Sequence, residues 1–164
     1  MGKILFYGVV FFMVLSCKQE TGKEVDLDTQ ETFFSVDSLP KPVAVNVKAV
    51  EILKDWQAFK DMETAFESLY RVANREDLTL VIEDLIEKQK LLENSEYPAV
   101  FNKSQIKSRQ KVFQTFILKT KRDLQYFVNA KESTLEMIAA YNAYRNQFNV
   151  LMNSELDLNL IMNE

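Results

Sequence analysis

The sequence predicts an all-α fold: an antiparallel, up-down-up-down four-helix bundle that follows a signal peptide and a flexible tether. Three observations lead there. From Val47 onward apolar residues recur every three or four positions, the spacing that gives a helix one buried face. The three glycines (Gly2, Gly8, Gly22) all precede residue 23, and beyond Pro42 the only proline is Pro98. That leaves little to close a tight turn between strands. Four periodic segments are separated by short polar breaks, and short connections favour antiparallel neighbours.

Residues 1–16 form the expected signal peptide. Lys3 precedes an apolar run from Ile4 to Leu15, and Ser16 and the single cysteine, Cys17, follow it. A positive start, an apolar stretch of roughly 7–15 residues and a small residue at the cut make a secretory signal. The run is shorter than the roughly 20 residues needed to span a bilayer, and it lacks the polar face of a domain helix.

Val14-Leu15-Ser16-Cys17 resembles the bacterial lipobox, with Leu15 in a slot that is often small. The resemblance implies cleavage between Ser16 and Cys17, a diacylglyceryl group on the Cys17 thiol and acylation of the new amine. One acyl chain holds a protein only marginally, whereas two or three anchor it firmly. The expected partner is therefore a membrane, met through the lipid. The expected place is the cell envelope, with the outer membrane favoured.

Residues 17–42 form the expected lipidated N-terminus and tether, which is polar, lacks helical periodicity and ends in Pro40-Lys41-Pro42. As a flexible coil it spans roughly 25–30 Å. Phe33-Phe34 is its apolar exception and is expected to dock on the domain.

The bundle is expected over 43–154. Its first helix runs from Val47 to Ala73 with Ala49, Ile52, Leu53, Trp56, Phe59, Phe66, Leu69, Tyr70 and Ala73 inward. Asn74 caps a second helix from Arg75 to Glu93, with Glu76 and Asp77 in its first turn. Leu78, Val81, Ile82, Leu85, Ile86 and Leu92 form its apolar face, and Pro98 enforces the stop. A third helix begins near Asn102 or Ser104, with Ser104 as its cap, and continues to Val128. Its stripe is Ile106, Phe113, Phe116, Ile117, Leu124 and Phe127, with Thr120 inside. A fourth runs from Glu132 to Met152, capped by Asn129 or Ser133, and buries Ile138, Tyr141, Tyr144, Phe148, Val150 and Met152. Residues 155–164 are expected to be a loosely packed tail.

Composition narrows the chemistry. The net charge is −4, and cleavage after Ser16, which removes only Lys3, makes it −5. That argues against nucleic acid as a partner. With no histidine there is no Ser-His-Asp triad and no imidazole ligand to a metal. One cysteine allows no intrachain disulfide, and the glycine distribution leaves no phosphate-cradling loop. No cofactor, metal site or catalytic residue is expected.

Several residue groups have the chemistry for binding. Lys103, Lys107, Arg109, Lys111, Lys119, Lys121 and Arg122 make the third helix basic, and pairing with the acids of the second is the expected use of that charge. Glu83 and Glu87 share one helix face, where solvated carboxylates are the ordinary reading. Ser104-x-x-Lys107 and Ser108-x-x-Lys111 match S-x-x-K but lack the S-D-N and K-T-G elements such enzymes need. Arg145 among Tyr141 and Tyr144, with Arg109, is the candidate ligand-binding set; the competing reading lays the arginine stem across an aromatic edge.

The stretches Glu76-Asp77-Leu78 to Lys88, Gln105 to Val112 and Ala140 to Arg145 are similar to a family of small helical lipoproteins of Bacteroidota, sometimes labelled viral A-type inclusion proteins. That label carries no activity. Within that group Lys18-Gln19-Glu20 resembles a surface-export signal, and Asp37-Ser38-Leu39 an O-glycosylation acceptor centred on Ser38. The expected role is a non-enzymatic interaction or scaffold module with a protein partner in the envelope. The alternatives are a module for an anionic or sugar-like ligand and, third, a carboxylate-based glycan hydrolase.

Overall fold

The computed structural model describes residues 35–161. The signal, the Ser16-Cys17 junction, Phe33-Phe34 and most of the tether lie outside the described residues. Within them the chain is all-helical and no strand forms. Five α-helices follow one another: α1 (Val47–Leu53), α2 (Gln57–Glu67), α3 (Arg75–Asn94), α4 (Ser104–Gln125) and α5 (Lys131–Ile161). Two 3-10 turns, Val36–Ser38 and Ser68–Arg71, complete the path.

The first expected helix is therefore two helices and a 3-10 turn. Trp56 breaks it without help from glycine or proline. Its backbone leaves the helical region (φ −93°, ψ 89°), and its carbonyl accepts from the Phe59 and Lys60 amides to start α2. The break turns the indole inward, where its Nε1 donates to Ser95 Oγ at 2.9 Å.

The other boundaries follow local chemistry. Asn74 Oδ1 accepts from the Asp77 amide and Asp77 Oδ2 accepts from the Ala73 amide, a reciprocal cap that starts α3. Ser95 closes α3 by donating its hydroxyl to Leu92 O. The residue capping α4 is Lys103, which makes no side-chain cap bond, so Ser104 is its first helical residue rather than its cap. Asn129 Oδ1 accepts from the Lys131 amide at the start of α5, while Ser133 is buried. Helix α5 continues past Met152 to Ile161, through most of the expected loose tail.

The core is built on aromatic side chains of α5. Tyr141 stacks on Phe66 of α2 at 3.7 Å and leans on Phe113 of α4 at 5.0 Å. Phe148 meets Phe59 of α2 edge-on at 5.3 Å and Phe101 at 4.7 Å. Phe101 is fully buried and pins the α3–α4 connection to the core. Three residues expected in the stripes face solvent instead, Ala73, Phe127 and Val150; Ala73 lies past the end of the Ser68–Arg71 turn, where the helical face has already ended. Two polar residues take core positions: Gln89 and Gln110 are buried, and Gln89 Nε2 donates to Gln110 O at 3.4 Å.

Residues 36–46, partly assigned to the tether by sequence, lie against the helices as a strap. Leu39 is buried and Tyr70 donates its hydroxyl to Pro40 O at 2.6 Å. Asn142 and Asn149 of α5 then treat the strap as a strand would. Asn142 donates to Lys41 O and accepts from the Val43 amide. Asn149 donates to Ala44 O and accepts from the Asn46 amide. Arg145, between them on the same helix face, donates through Nε to Val43 O at 2.8 Å. These backbone groups of the strap are thus satisfied without a sheet.

Candidate functional site

The larger of the two described hollows opens where the α1–α2 break meets the end of α3. Its volume is about 940 Å³, and it is open to solvent. Trp56 and Tyr97 give it an aromatic wall, with ring centroids 4.8 Å apart. Ile52, Ala58, Leu91, Pro98 and Ala99 extend the apolar surface. Four carboxylates stand around it, Glu51, Asp55, Asp61 and Glu96, and no lysine or arginine lines it. Glu51 is paired with Lys54, and Asp61 accepts from Gln57. Asp55 and Glu96 are exposed and make no ion pair among the described residues.

The wall is fixed from behind. Tyr97 donates its hydroxyl to Gln110 Oε1, and Trp56 is held through Ser95. Lys107 covers one face of the Tyr97 ring, its Nζ 5.0 Å from the centroid. Such a surface suits an apolar segment carrying positive charge. Sequence reasoning did not find it, because its walls come from positions 51–61 and 91–99. The readable signal was Trp56, one of two aromatic residues on the wall and the chain's sole tryptophan.

The sequence-singled residues sit elsewhere. Tyr141 is buried beneath Phe66. The Arg145 side chain is only 15% exposed; it pairs with Glu63 and holds the strap. Its head is engaged by protein rather than left in water. Arg109 is exposed on α4 and makes no ion pair or hydrogen bond among the described residues. Neither described hollow includes any of the three. Ser38 is exposed and donates its hydroxyl to Ser35 O at 2.9 Å. Glu83 and Glu87 face solvent, and no group of three or more metal-type ligands gathers among the described residues.

The basic face of α4 is only partly neutralised by the acids of α3. Lys111 pairs with Glu93, Lys119 with Glu136 of α5 and Arg122 with its neighbour Asp123. Lys88 meets the remaining α3 acids that form pairs, Asp84 and Glu87, within its own helix.

Among the described residues three carboxyls are shifted on folding, and their signs differ. The Lys111 hydrogen bond lowers Glu93, against a smaller opposing effect of burial. At Asp123 burial acts upward, but hydrogen bonds from Arg122 and Ser133 and the charges of Arg122 and Lys119 lower it overall from 3.8. At Glu63 burial raises the carboxyl above 4.5, outweighing the downward pull of Arg145, and Glu67 adds to the rise. A lowered carboxyl stabilises the fold above its unfolded value, and that contribution is lost as pH falls through the folded value. A raised one works in reverse: its contribution is present below the unfolded value and is lost as pH rises through the folded value. Asp123→Asn is therefore expected to reduce the stability lost between about pH 5 and 3, and Glu63→Gln to increase it. Urea unfolding across that range measures both.

No family model matches the chain, and neither a curated protein nor a solved structure matches it.

Proposed function

We propose that this chain is a lipoprotein of a bacterial cell envelope, held on a membrane (the outer membrane favoured) by lipid on Cys17. Its helical domain serves there as a non-enzymatic module that binds another envelope protein. The anchor reading rests on Lys3, the apolar run and the Ser16-Cys17 junction. It accords with the likeness to the small helical lipoproteins of Bacteroidota. The domain is read as an antiparallel, up-down-up-down bundle in which α1 and α2 together take the first position and α3, α4 and α5 the others. Short connections support this, such as 72–74 and 126–130.

The observation that carries the interaction reading is the hollow beside Trp56 and Tyr97. It is wide, open and apolar, and every charged residue lining it is a carboxylate. Grooves between helices accept amphipathic partner segments, and this charge selects one with basic residues at its edge. The ligand reading built on Arg145 and Tyr141 has less support, since both side chains are engaged inside the domain.

A photocrosslinking side chain at Leu91, which lines the hollow, tests this in the native envelope, with the same group at exposed Val150 as the control. The expected result is a discrete protein adduct from Leu91 that is lost when Asp55 and Glu96 are changed to lysine. Cys17→Ser should yield a chain that carries no lipid by mass and is recovered in the soluble fraction. No adduct at Leu91, together with small-anion binding that Arg109→Ala abolishes, would replace the interaction reading with the ligand one.

A further inference from the structure

The connection between α4 and α5 exposes three consecutive apolar side chains: Tyr126 is 74% exposed, Phe127 82% and Val128 51%. Folding alone does not account for them. Helix α4 ends with the Val128 amide donating to Asp123 O at 2.9 Å and the Phe127 amide to Leu124 O at 3.3 Å. That six-to-one and five-to-two pairing needs a left-handed residue at its centre, the place where glycine is usual. Here Phe127 takes it, at φ 55°. A bulky residue in this region is disfavoured, so the position carries a stability cost and an exposed aromatic ring together.

The tip is also held firmly. Arg75 Nη2 donates to Leu124 O at 2.7 Å and Asp123 O at 3.2 Å, and reaches Val128 O at 3.4 Å. Its guanidinium lies 4.9 Å from the Phe127 ring centroid. The three side chains are thus presented by a braced turn. Arg75 is the first residue of α3 and follows closely on the Ser68–Arg71 turn. The incoming chain docks at that same turn, through Leu39 and through Pro40 O on the Tyr70 hydroxyl. The apolar tip and the entry of the N-terminal segment share one end of the domain.

We infer that Tyr126-Phe127-Val128 dips into the interfacial layer of the membrane that holds the chain's N-terminus, so that the domain stands on the bilayer at its α4–α5 tip. The inference rests on the lipid-anchor reading above. From Cys17 to Phe34 the sequence supplies 18 residues before the described chain begins. If those residues form the tether expected from sequence, a coil of that length spans about 21–25 Å, which keeps the tip within reach of the head groups at high effective concentration. Tyrosine and phenylalanine suit the boundary between head groups and acyl chains. The surrounding charge is mixed: Arg71, Arg122 and Lys131 are exposed, and so are Glu76 and Glu132. Docking therefore depends on the apolar tip and the tether, and is insensitive to salt and to the fraction of anionic lipid.

The test uses the full lipidated chain in vesicles of phosphatidylcholine and phosphatidylglycerol, with and without bromine on the acyl chains. Phe127→Trp is the reporter, and Trp56 in the parent chain supplies the background. Val150→Trp is the control, about 28 Å along α5 from its start at 1.5 Å per residue. Vesicle flotation and the mass of the Cys17 peptide are read on the same preparations. The expected result is a blue shift and bromine quenching at position 127, unchanged by salt, with none at position 150. A second variant, Tyr126→Ser with Phe127→Gly, keeps the left-handed turn and is expected to melt no lower than the parent. Its Val128→Trp derivative is expected to lose the quenching that Val128→Trp alone shows. A floating, lipidated chain without quenching at 127 overturns the docking and leaves the anchor standing. Absence of lipid and of flotation overturns the anchor, and the docking with it. Equal quenching at 127 and 150, or a blue shift that grows with protein concentration without vesicles, overturns the docking in favour of a flat-lying domain or self-association.

Discussion

Trp56→Ala is expected to lower the unfolding free energy by about 3–5 kcal/mol, the range for deleting a large buried aromatic side chain. The indole is 5% exposed. It stacks on Phe59 at 5.7 Å and an interplanar angle of 19°, and tilts against Tyr97 at 4.8 Å. It also joins three parts of the chain, since its own backbone ends the α1–α2 link and its Nε1 reaches the cap of α3. Trp56→Phe keeps most of the packing and loses the hydrogen bond, so it is expected to cost about 1 kcal/mol from that bond plus a smaller packing loss. Urea unfolding followed by circular dichroism separates the two. A loss below 1 kcal/mol for the alanine variant would mean that the ring does not hold the α1–α2 corner to α3. The same variant should lose the Leu91 crosslink, because the aromatic wall of the hollow is gone.

That corner also shows what the sequence could and could not tell. The helical class was legible, because long apolar periodicities with no glycine after residue 22 leave few alternatives. The end of α3 and its Asn74 cap were legible for the same local reasons. The break at Trp56 has no glycine or proline to mark it, but it leaves a trace in the spacing. Ala49, Leu53, Trp56, Phe59, Met62, Phe66 and Leu69 are all buried. At 100° per residue a step of three falls back by about 60° and a step of four gains about 40°, so one unbroken helix would turn this stripe through about 160°. A break that resets the phase is required. The 3-10 turn at Ser68–Arg71 relieves the same mismatch, since its period is three.

Other features were not legible because they depend on distant partners. Gln89 and Gln110 read as surface residues of amphipathic helices, yet they face each other inside, where Tyr97 supplies a donor. Phe127 fits the period of α4, and that period predicts it inward. Only the chain reversal places it outside, since a left-handed residue swings its side chain off the helical stripe. The strap was hidden because its partners, Asn142, Arg145 and Asn149, lie about a hundred positions away, and asparagines at a spacing of seven are ordinary on a helix surface. The surroundings of Arg145 were hidden for a related reason. A sequence shows that an arginine stands among aromatic residues, but not that a glutamate eighty-two positions earlier and a backbone carbonyl already occupy its head.

Arg145→Ala is the change expected to expose that use of the side chain. Glu63 and Arg145 pair with side-chain exposures of 32% and 15%, and removing one member of such a pair leaves the other charge poorly solvated. The expected cost is about 3 kcal/mol, at the lower end of the range for breaking a buried pair because Glu63 keeps some contact with water. Loss of the bond to Val43 O adds a second effect, confined to the strap. Lysine should not rescue the loss, because one guanidinium reaches Val43 O through Nε and Glu63 through Nη1 at once, and an ammonium lacks that fork. Arg145→Met combined with Glu63→Leu is expected to recover much of the stability, since an apolar pair carries no desolvated charge. It should not restore the strap. Unfolding by urea measures the first effect, and protease cutting between residues 40 and 46 measures the second. Recovery of stability without recovery of protease resistance in the double variant would separate the ion pair from the strap. If all three variants stayed within 0.5 kcal/mol of the parent, as ordinary surface substitutions do, Arg145 would be free to meet a ligand, and the ligand reading would regain its principal residue.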